Sequence, residues 1–127
     1  MLGVGIDIIE IARIRKVIEK YSDRFLQKIF SPREKNDCIE KGASIFASLA
    51  GRFCAKEAVA KALGVGIGAK LWWTDIEVLA SGSGAPILSL SSKASDRFSD
   101  PEIVLSISHC REYATAIAIL KSFGNGS

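Results

Sequence analysis

Four residues within 50–68 have types and spacings that could perform phosphate chemistry. Glu57 and Lys61 lie four residues apart in a helical pattern, so they share one side of that helix, with Gly64 three residues further on and Lys56 beside them. A carboxylate, an ammonium group and a glycine loop on one ridge could bind a phosphate together with a cation. The alternative is an exposed ion pair followed by a glycine C-cap, and the stretch taken alone favours that alternative.

A second carboxylate, Asp7, lies near the end of the apolar segment 2–8, which predicts a short buried strand. Gly3 and Gly5 in this strand indicate that another backbone passes close by. An aspartate in this setting either binds a cation or caps the following helix, and the sequence favours neither. If Asp7 met Glu57, fifty residues away, the oxygen-only pair would suit Mg²⁺ held together with substrate phosphates.

The single histidine, His109, ends a predicted strand just before a turn, where a side chain can be presented to a ligand. Ser106 and Ser108 flank it but fall on the opposite face of the strand, which argues against a serine–histidine nucleophile. Hydrogen bonding or phosphate contact is the more natural role for this histidine. Neither a GxxxxGK[ST] nor a GxGxxG motif occurs, so the common NTPase and dinucleotide sites are excluded.

The elements that must position these residues change type along the chain. The periodicity predicts a strand at 2–8, an amphipathic helix at 11–21, a helix that starts at Ser31, and a central helix from Ile45 to Leu63 capped by Ser44. Strands are predicted from 71 onward, with a short helix between them. This order predicts an α+β fold, a mostly antiparallel sheet packed against a long central helix. We expect one domain over 1–121 and a disordered tail at 122–127.

Composition and charge narrow the class of protein. At 127 residues the chain can bury a real core, and it contains no apolar run long enough to span a membrane and no signal-peptide pattern. Three cysteines without a CxxC pair predict a reducing, cytoplasmic location. The net charge is only +3, but residues 13–35 hold eight basic and three acidic side chains. This segment, at 8 − 3 = +5, predicts either an acidic partner or a solvated helix face.

Three blocks of the sequence, in this order and spacing, resemble the holo-acyl-carrier-protein synthases, the small stand-alone 4′-phosphopantetheinyl transferases of bacterial fatty-acid synthesis. The blocks are GVGIDIIEIARI at 3–14, FCAKEAVAKALG at 53–64 and SISHCREYA at 106–114. Shorter matches at 30–34, 75–78 and 84–86 extend the resemblance over nearly the whole chain. The second block is the most specific of the three.

The resemblance implies a 4′-phosphopantetheinyl transferase-like fold and a reaction. Coenzyme A donates its 4′-phosphopantetheine to a serine of apo-acyl carrier protein, and 3′,5′-ADP leaves. Asp7 and Glu57 would bind Mg²⁺ at the pyrophosphate, Lys61 would stabilise charge on the attacked phosphoryl group, and Glu57, directly or through a metal-bound water, would accept the serine proton. The residues implied for coenzyme A are Arg52, Lys56, Lys61, Gly64, Gly66, Pro86 and His109.

The resemblance also gives the basic segment a partner, because family members dock the acidic carrier protein on their first helix. The implied recognition residues are Arg13, Lys16, Lys20 and Arg24, with Val17 and Phe25 as apolar contacts. A homotrimer with active sites at subunit interfaces is likewise implied. The sequence departs from the family pattern at three positions. Cys54 stands where alanine is common, Ala85 where a basic residue is common, and Cys110 where a hydroxyl residue is common. The last two departures weaken the expectation of nucleotide contacts there.

Two other classes of function remain open at this level. A carrier-binding module without chemistry would tolerate Glu57→Ala, whereas a transferase would lose turnover by orders of magnitude. A nucleic-acid binder would use the same basic helix, but the small net charge and the lack of an exposed aromatic series interleaved with lysines argue against it. We therefore expect no nucleic-acid partner and no membrane association.

Overall fold

The computed structural model describes residues 2–40 and 42–124. The described residues form five strands and five α-helices, with short 3₁₀ turns at Gly42–Ser44 and Trp73–Asp75. In chain order they are β1 (Gly3–Glu10), α1 (Ile11–Tyr21), α2 (Asp23–Ile29), α3 (Pro32–Ile39), α4 (Ile45–Ala62), β2 (Ile76–Ala80), β3 (Pro86–Leu90), α5 (Ser92–Arg97), β4 (Pro101–His109) and β5 (Tyr113–Phe123).

The strands form two antiparallel sheets. The larger has the order β1-β5-β4, so β5 is central and β1 and β4 are its edges, and the smaller is the β2–β3 hairpin. The first and last strands of the chain pair with Asp7 opposite Ala116, which places the middle of β1 beside a small residue. The predicted α+β class with antiparallel strands is confirmed.

Helix α4 packs on β1, β5 and β4 of the larger sheet and also contacts α1, α3 and β2. Contacts on so many sides leave it buried almost all round, rather than along the single apolar face that its spacing predicts. Its alanines, among them Ala55, Ala58 and Ala62, let neighbouring backbones approach closely. Gly3 and Gly5 do the same from β1, as the glycine pattern predicts.

The local signals at helix starts have different outcomes. Ser31 accepts a hydrogen bond from the Glu34 amide, and the Glu34 side chain accepts one from the Ser31 amide, which is the predicted capping box of α3. Ser44 occupies the N-cap position of α4 but makes no side-chain cap. Asp7 lies within β1, three residues before the N-cap of α1, so it does not cap that helix.

Two boundaries differ from the prediction. Residues 71–75 are not strand, because Trp73–Asp75 form a 3₁₀ turn that the Asp75 carboxylate caps at the Trp72 amide. Strand β5 continues to Phe123, two residues past the predicted domain end, and the rest of the predicted tail, 125–127, lies outside the described residues. Within the described ranges, no helix has the length and apolarity to cross a membrane.

Candidate active site

Asp7, Glu57 and Lys61 meet where the β1 edge of the sheet packs on α4. The Lys61 ammonium donates hydrogen bonds to the Ile6 carbonyl oxygen at 2.9 Å and to Asp7 Oδ1 at 3.3 Å. Glu57 lies one helical turn before Lys61, on the same side of α4. Two carboxylates fifty residues apart in sequence thus lie beside one ammonium group at the protein surface.

The two carboxylates repel each other electrostatically. Partial burial raises the pKa of Glu57 above its ordinary value, the charge of Asp7 raises it further, and Lys61 opposes both. Behind them, burial raises the pKa of the Cys54 thiol to about 12, with Asp7 as the next cause. A cation bound between the carboxylates would relieve this repulsion, so the site favours a positive ligand.

The donor set at this edge fits a hard divalent cation. Asp7 and Glu57 supply only oxygen, and the part of the chain that the structure describes holds no group of three or more histidine, cysteine or acidic residues arranged to bind a metal ion. Mg²⁺ is commonly held by one or two carboxylates, with water and substrate phosphate completing its octahedron. A site with two protein ligands therefore suits Mg²⁺ bound together with a phosphorylated substrate.

The glycine loop after α4 serves first as a helix cap. The Gly64 amide donates to the Lys61 carbonyl, and the amides of Val65 and Gly66 both donate to the Ala60 carbonyl. Gly64 and Gly66 have φ values of 78° and 69°, the left-handed region in which glycine ends a helix. These three amides point back at the helix, so at Gly64, Val65 and Gly66 the structure has the C-cap arrangement rather than amides directed at a phosphate.

A separate cleft of about 370 Å³ lies on another side of α4. Its lining includes Arg52, Gly84, Pro86 and His109, three of which belong to the residues implied for coenzyme A. His109, at the end of β4, also lines an adjoining cleft of about 480 Å³. These clefts provide concave space for a nucleotide.

Arg52 reaches the cleft with its guanidinium group already engaged. Nε donates to the Val78 carbonyl at 3.0 Å, Nη2 donates to Asp37 Oδ2 at 2.7 Å, and Nη1 donates to Ser48. The side chain is almost fully buried. The sequence motifs gave no sign of Asp37 and Ser48, because their roles depend on contacts between α3, α4 and β2.

The cleft and the β1 edge are separate within one chain. None of Asp7, Glu57 and Lys61 lines the cleft, and Arg52 and Glu57 lie about 140° apart around the axis of α4. Strands β1 and β4 are opposite edges of the sheet. The structure therefore brings the sequence-predicted residues together in two groups rather than one.

Lys56 belongs to neither group, which corrects its expected role as a phosphate contact. Its ammonium group is fully buried and donates to Glu34 Oε1 at 2.8 Å and to three main-chain carbonyls. These are the carbonyls of Ile29 at 2.8 Å, Trp73 at 2.9 Å and Ile76 at 2.6 Å. One step along a helix rotates a side chain by about 100°, so the neighbour of Glu57 points into the core.

The basic segment forms a surface on α1 and α2. The side chains of Arg13, Lys16, Lys20 and Arg24 are exposed, whereas those of Val17 and Phe25 are half-buried between the basic surface and the core. Arg15, which the sequence did not single out, pairs with Glu19 at 3.5 Å and lies over the Phe46 ring at 5.3 Å. The exposed cations give this face the charge expected for an acidic partner.

A profile of the 4′-phosphopantetheinyl transferase superfamily matches residues 3–118. The chain is 46% identical over 121 residues to the holo-[acyl-carrier-protein] synthase of Protochlamydia amoebophila, covering 95% of this chain and 98% of that protein. It is 52% identical over 119 residues to that of Chlamydia trachomatis serovar D, covering 94% and 98%. The chain belongs to the holo-[acyl-carrier-protein] synthase family.

Solved structures of this family share the fold. The Helicobacter pylori holo-[acyl-carrier-protein] synthase in complex with coenzyme A superposes with a TM-score of 0.84 at 39% identity, covering 93% of this chain and 99% of that chain. The Neisseria meningitidis enzyme superposes with a TM-score of 0.88 at 27% identity, covering 96% and 99%. The resemblance seen in the sequence motifs is thereby confirmed for the family, the fold and the class of enzyme.

Proposed function

We propose that this protein transfers 4′-phosphopantetheine from coenzyme A to a serine of apo-acyl carrier protein, with Mg²⁺, in the cytoplasmic synthesis of fatty acids. The observation that carries the proposal is the meeting of Asp7, Glu57 and Lys61 at the β1 edge of α4, in a chain that belongs to this enzyme family. The three free cysteines support a reducing compartment.

In the proposed reaction the serine oxygen attacks the β-phosphorus of coenzyme A. The bond from that phosphorus to the bridging oxygen breaks, and 3′,5′-ADP leaves with the electron pair. Asp7 and Glu57 would hold Mg²⁺, which would neutralise charge on the pyrophosphate. Lys61 stabilises negative charge on the attacked phosphoryl group, and Glu57, directly or through a water, accepts the serine proton.

The nucleotide end of coenzyme A would occupy the cleft lined by Arg52, Pro86 and His109. Arg52 would contact a phosphate through its second Nη2 N–H group or by exchanging an acceptor, since Val78, Ser48 and Asp37 accept hydrogen bonds from the other four N–H groups. Gly64 and Gly66 would offer open space rather than amide donors, because nothing lies within 4 Å of a Cβ built at either position. Lys56 takes no part in this binding.

The carrier protein would dock on the basic surface of α1 and α2. Exposed cations there match the acidic character implied for the carrier, and such complementarity raises association rates and fixes orientation. Reversing two charges, Arg13→Glu together with Lys16→Glu, would raise the KM for the carrier and leave the KM for coenzyme A unchanged.

We also propose that the active form is a homotrimer in which neighbouring subunits bring the β1 edge and the cleft together. The outer face of the larger sheet supports this, because apolar side chains stand exposed on all three of its strands. They include Val4, Ile6 and Ile8 on β1, Val104 on β4 and Ile117 on β5, and the register places Ile6 opposite Ile117. An exposed apolar patch on this scale is typical of a subunit interface.

The direct test is the intact mass of apo-acyl carrier protein after incubation with the protein, coenzyme A and Mg²⁺. We expect a gain of one 4′-phosphopantetheine group that disappears with EDTA or with Glu57→Ala. A gain that persists in Glu57→Ala would contradict the assigned chemistry. No gain, with tight binding of the carrier retained, would instead support a binding module without catalysis.

A further inference from the structure

Strand β1 and helix α4 touch backbone to backbone at Gly5. A Cβ at this position would lie 2.8 Å from both the Ala62 nitrogen and Lys61 Cβ, and closer still to the Ala58 carbonyl oxygen. Main-chain atoms inside a buried helix cannot move aside as the tip of a flexible side chain can. The observed spacing between β1 and α4 therefore requires glycine at position 5.

This contact lies next to both carboxylates in the chain. Asp7 is two residues after Gly5 on β1, so both face the same side of the strand, toward α4. Ala58, which a Cβ at Gly5 would strike, directly follows Glu57 in α4. Lys61 bonds to the carbonyl of Ile6, the residue between Gly5 and Asp7, and to Asp7 itself.

We propose that Gly5 is a positioning residue that sets the distance between the Asp7 and Glu57 carboxylates and thereby the affinity for the divalent cation. The inference rests on the proposed metal role of these carboxylates. A methyl group at position 5 would push β1 away from α4 and carry Asp7 with it, while Glu57 stayed with its helix. The chain would keep both ligands and lose their spacing.

Gly82, in the turn between β2 and β3, provides a matched control. Among the described residues, nothing lies within 4 Å of a Cβ built there, and its φ is not positive. It belongs neither to the β1 edge nor to the lining of the cleft. The change from glycine to alanine at position 82 thus adds the same methyl group without moving β1.

The test measures Mn²⁺ binding by electron paramagnetic resonance at saturating coenzyme A, without carrier protein. We expect Gly5→Ala to weaken Mn²⁺ binding by about tenfold or more, the scale on which groups that orient metal ligands act. Gly82→Ala should change it by less than about twofold. A folded Gly5→Ala protein that binds Mn²⁺ as tightly as the wild type would overturn the inference alone.

A second substitution separates spacing from general damage. Asp7→Glu lengthens the ligand by one methylene, which should weaken Mn²⁺ binding in the wild type but restore part of it in Gly5→Ala. Equal losses in both backgrounds would contradict a spacing role. If Gly5→Ala does not fold, Gly3→Ala, whose Cβ would strike the Ala62 carbonyl oxygen, takes its place in the same cycle with the same two outcomes.

The wild type itself distinguishes this inference from the proposed function. Wild-type protein that binds no Mn²⁺ in the presence of coenzyme A would overturn the metal site and, with it, any role for Gly5 in setting that site. Phosphopantetheine transfer that proceeds in EDTA would do the same. Wild-type binding that is lost in Asp7→Asn, combined with unaltered binding in Gly5→Ala, would leave the proposed function in place.

Discussion

Lys56 and Lys61 lie five residues apart on α4, and each pairs with a carboxylate from another element, but the two pairs have opposite surroundings. Lys56 is fully buried with Glu34, whose oxygens also accept hydrogen bonds from the amides of Ser31 and Val78. Lys61 is half exposed beside Asp7, in a site that holds a second carboxylate, Glu57. One pair is completely satisfied, and the other has an excess of negative charge.

The difference in surroundings distinguishes a lysine that stabilises the fold, Lys56, from one that is available for the proposed chemistry, Lys61. Through hydrogen bonds from its ammonium group, Lys56 connects the end of α2, the start of α3, the 3₁₀ turn before β2, and β2 itself. At the β1 edge, burial and Asp7 raise the pKa of Glu57, and Lys61 compensates only in part. Buried charge must be paired to persist, whereas an unbalanced exposed cluster can recruit a ligand.

The largest effect should come from exchanging one carboxylate at each site for its amide, Glu57 beside the Asp7–Lys61 pair and Glu34 in the buried pair. We expect Glu57→Gln to lower turnover by about three orders of magnitude or more while leaving the melting temperature unchanged or raised, because it removes a repelled charge. Glu34→Gln should do the reverse, lowering the melting temperature strongly and keeping the turnover of the folded fraction. Carrier modification and thermal unfolding, measured on the same samples, check both expectations. A stable, fully active Glu57→Gln protein would contradict the distinction between the two sites.

The same substitution at the two lysines gives the next contrast. Lys56→Met should lower the free energy of unfolding by about 3–5 kcal/mol, because it leaves Glu34 buried and unpaired. Lys61→Met should change it by less than about 1 kcal/mol, because that pair is solvent-exposed. Denaturant titrations would reveal the difference, and equal losses at the two positions would show that burial does not separate the pairs.

The titration of Glu57 should sharpen the picture of the unbalanced site. Lys61 lowers the pKa of this carboxyl and Asp7 raises it, so Lys61→Met should move the pKa of Glu57 upward and Asp7→Asn should move it downward. Because the folded-state pKa of Glu57 is raised, its contribution to stability is present below its ordinary pKa and is lost as the pH rises through the folded value. Carbon-13 NMR of labelled glutamate measures these pKa shifts. If neither substitution changed the pKa of Glu57, this carboxyl would not interact electrostatically with Asp7 or Lys61.

The smallest effect is the coupling between Asp7 and Lys61. A double-mutant cycle should give roughly 0.2–1 kcal/mol in low salt, decreasing as the Debye length shortens to about 3 Å at 1 M. The coupling between Glu34 and Lys56 should stay large at both salt concentrations, since no ions reach that buried pair. Salt-independent coupling at Asp7 would indicate a more enclosed site than the exposed Lys61 side chain allows.

Local sequence rules predicted the parts of this arrangement that depend on near neighbours. Ser31 and Glu34 were recognisable as a capping box, Gly64 as a helix end, and Gly3 and Gly5 as points of close approach. Family motifs added the pairing of Asp7 with Glu57, which no spacing rule can provide across fifty residues. The resemblance identified chemistry that periodicity left undecided.

The prediction for Lys56 was wrong because adjacency in sequence is not adjacency around a helix. Its role depends on where α2, α3 and β2 place their carbonyls, and that information lies in long-range packing. Glu34 is a similar case, because the sequence predicted its capping function but not its second role as the partner of Lys56. The expected phosphate contact of Arg52 stays a prediction, and its hydrogen bond to Asp37 depends on the fold.

The tryptophans lie side by side at Trp72 and Trp73, on the Lys56 side of α4, and they are the only two in the chain. Trp73 stacks on Phe53 with ring centroids 5.0 Å apart, and Lys28 lies 5.6 Å from the Trp72 ring. Intrinsic fluorescence will therefore follow the unfolding of the Lys56 side of α4 and will not report the separation of β1 from the helix. A variant with a normal fluorescence melt and an altered circular dichroism spectrum would have lost the β1 edge alone.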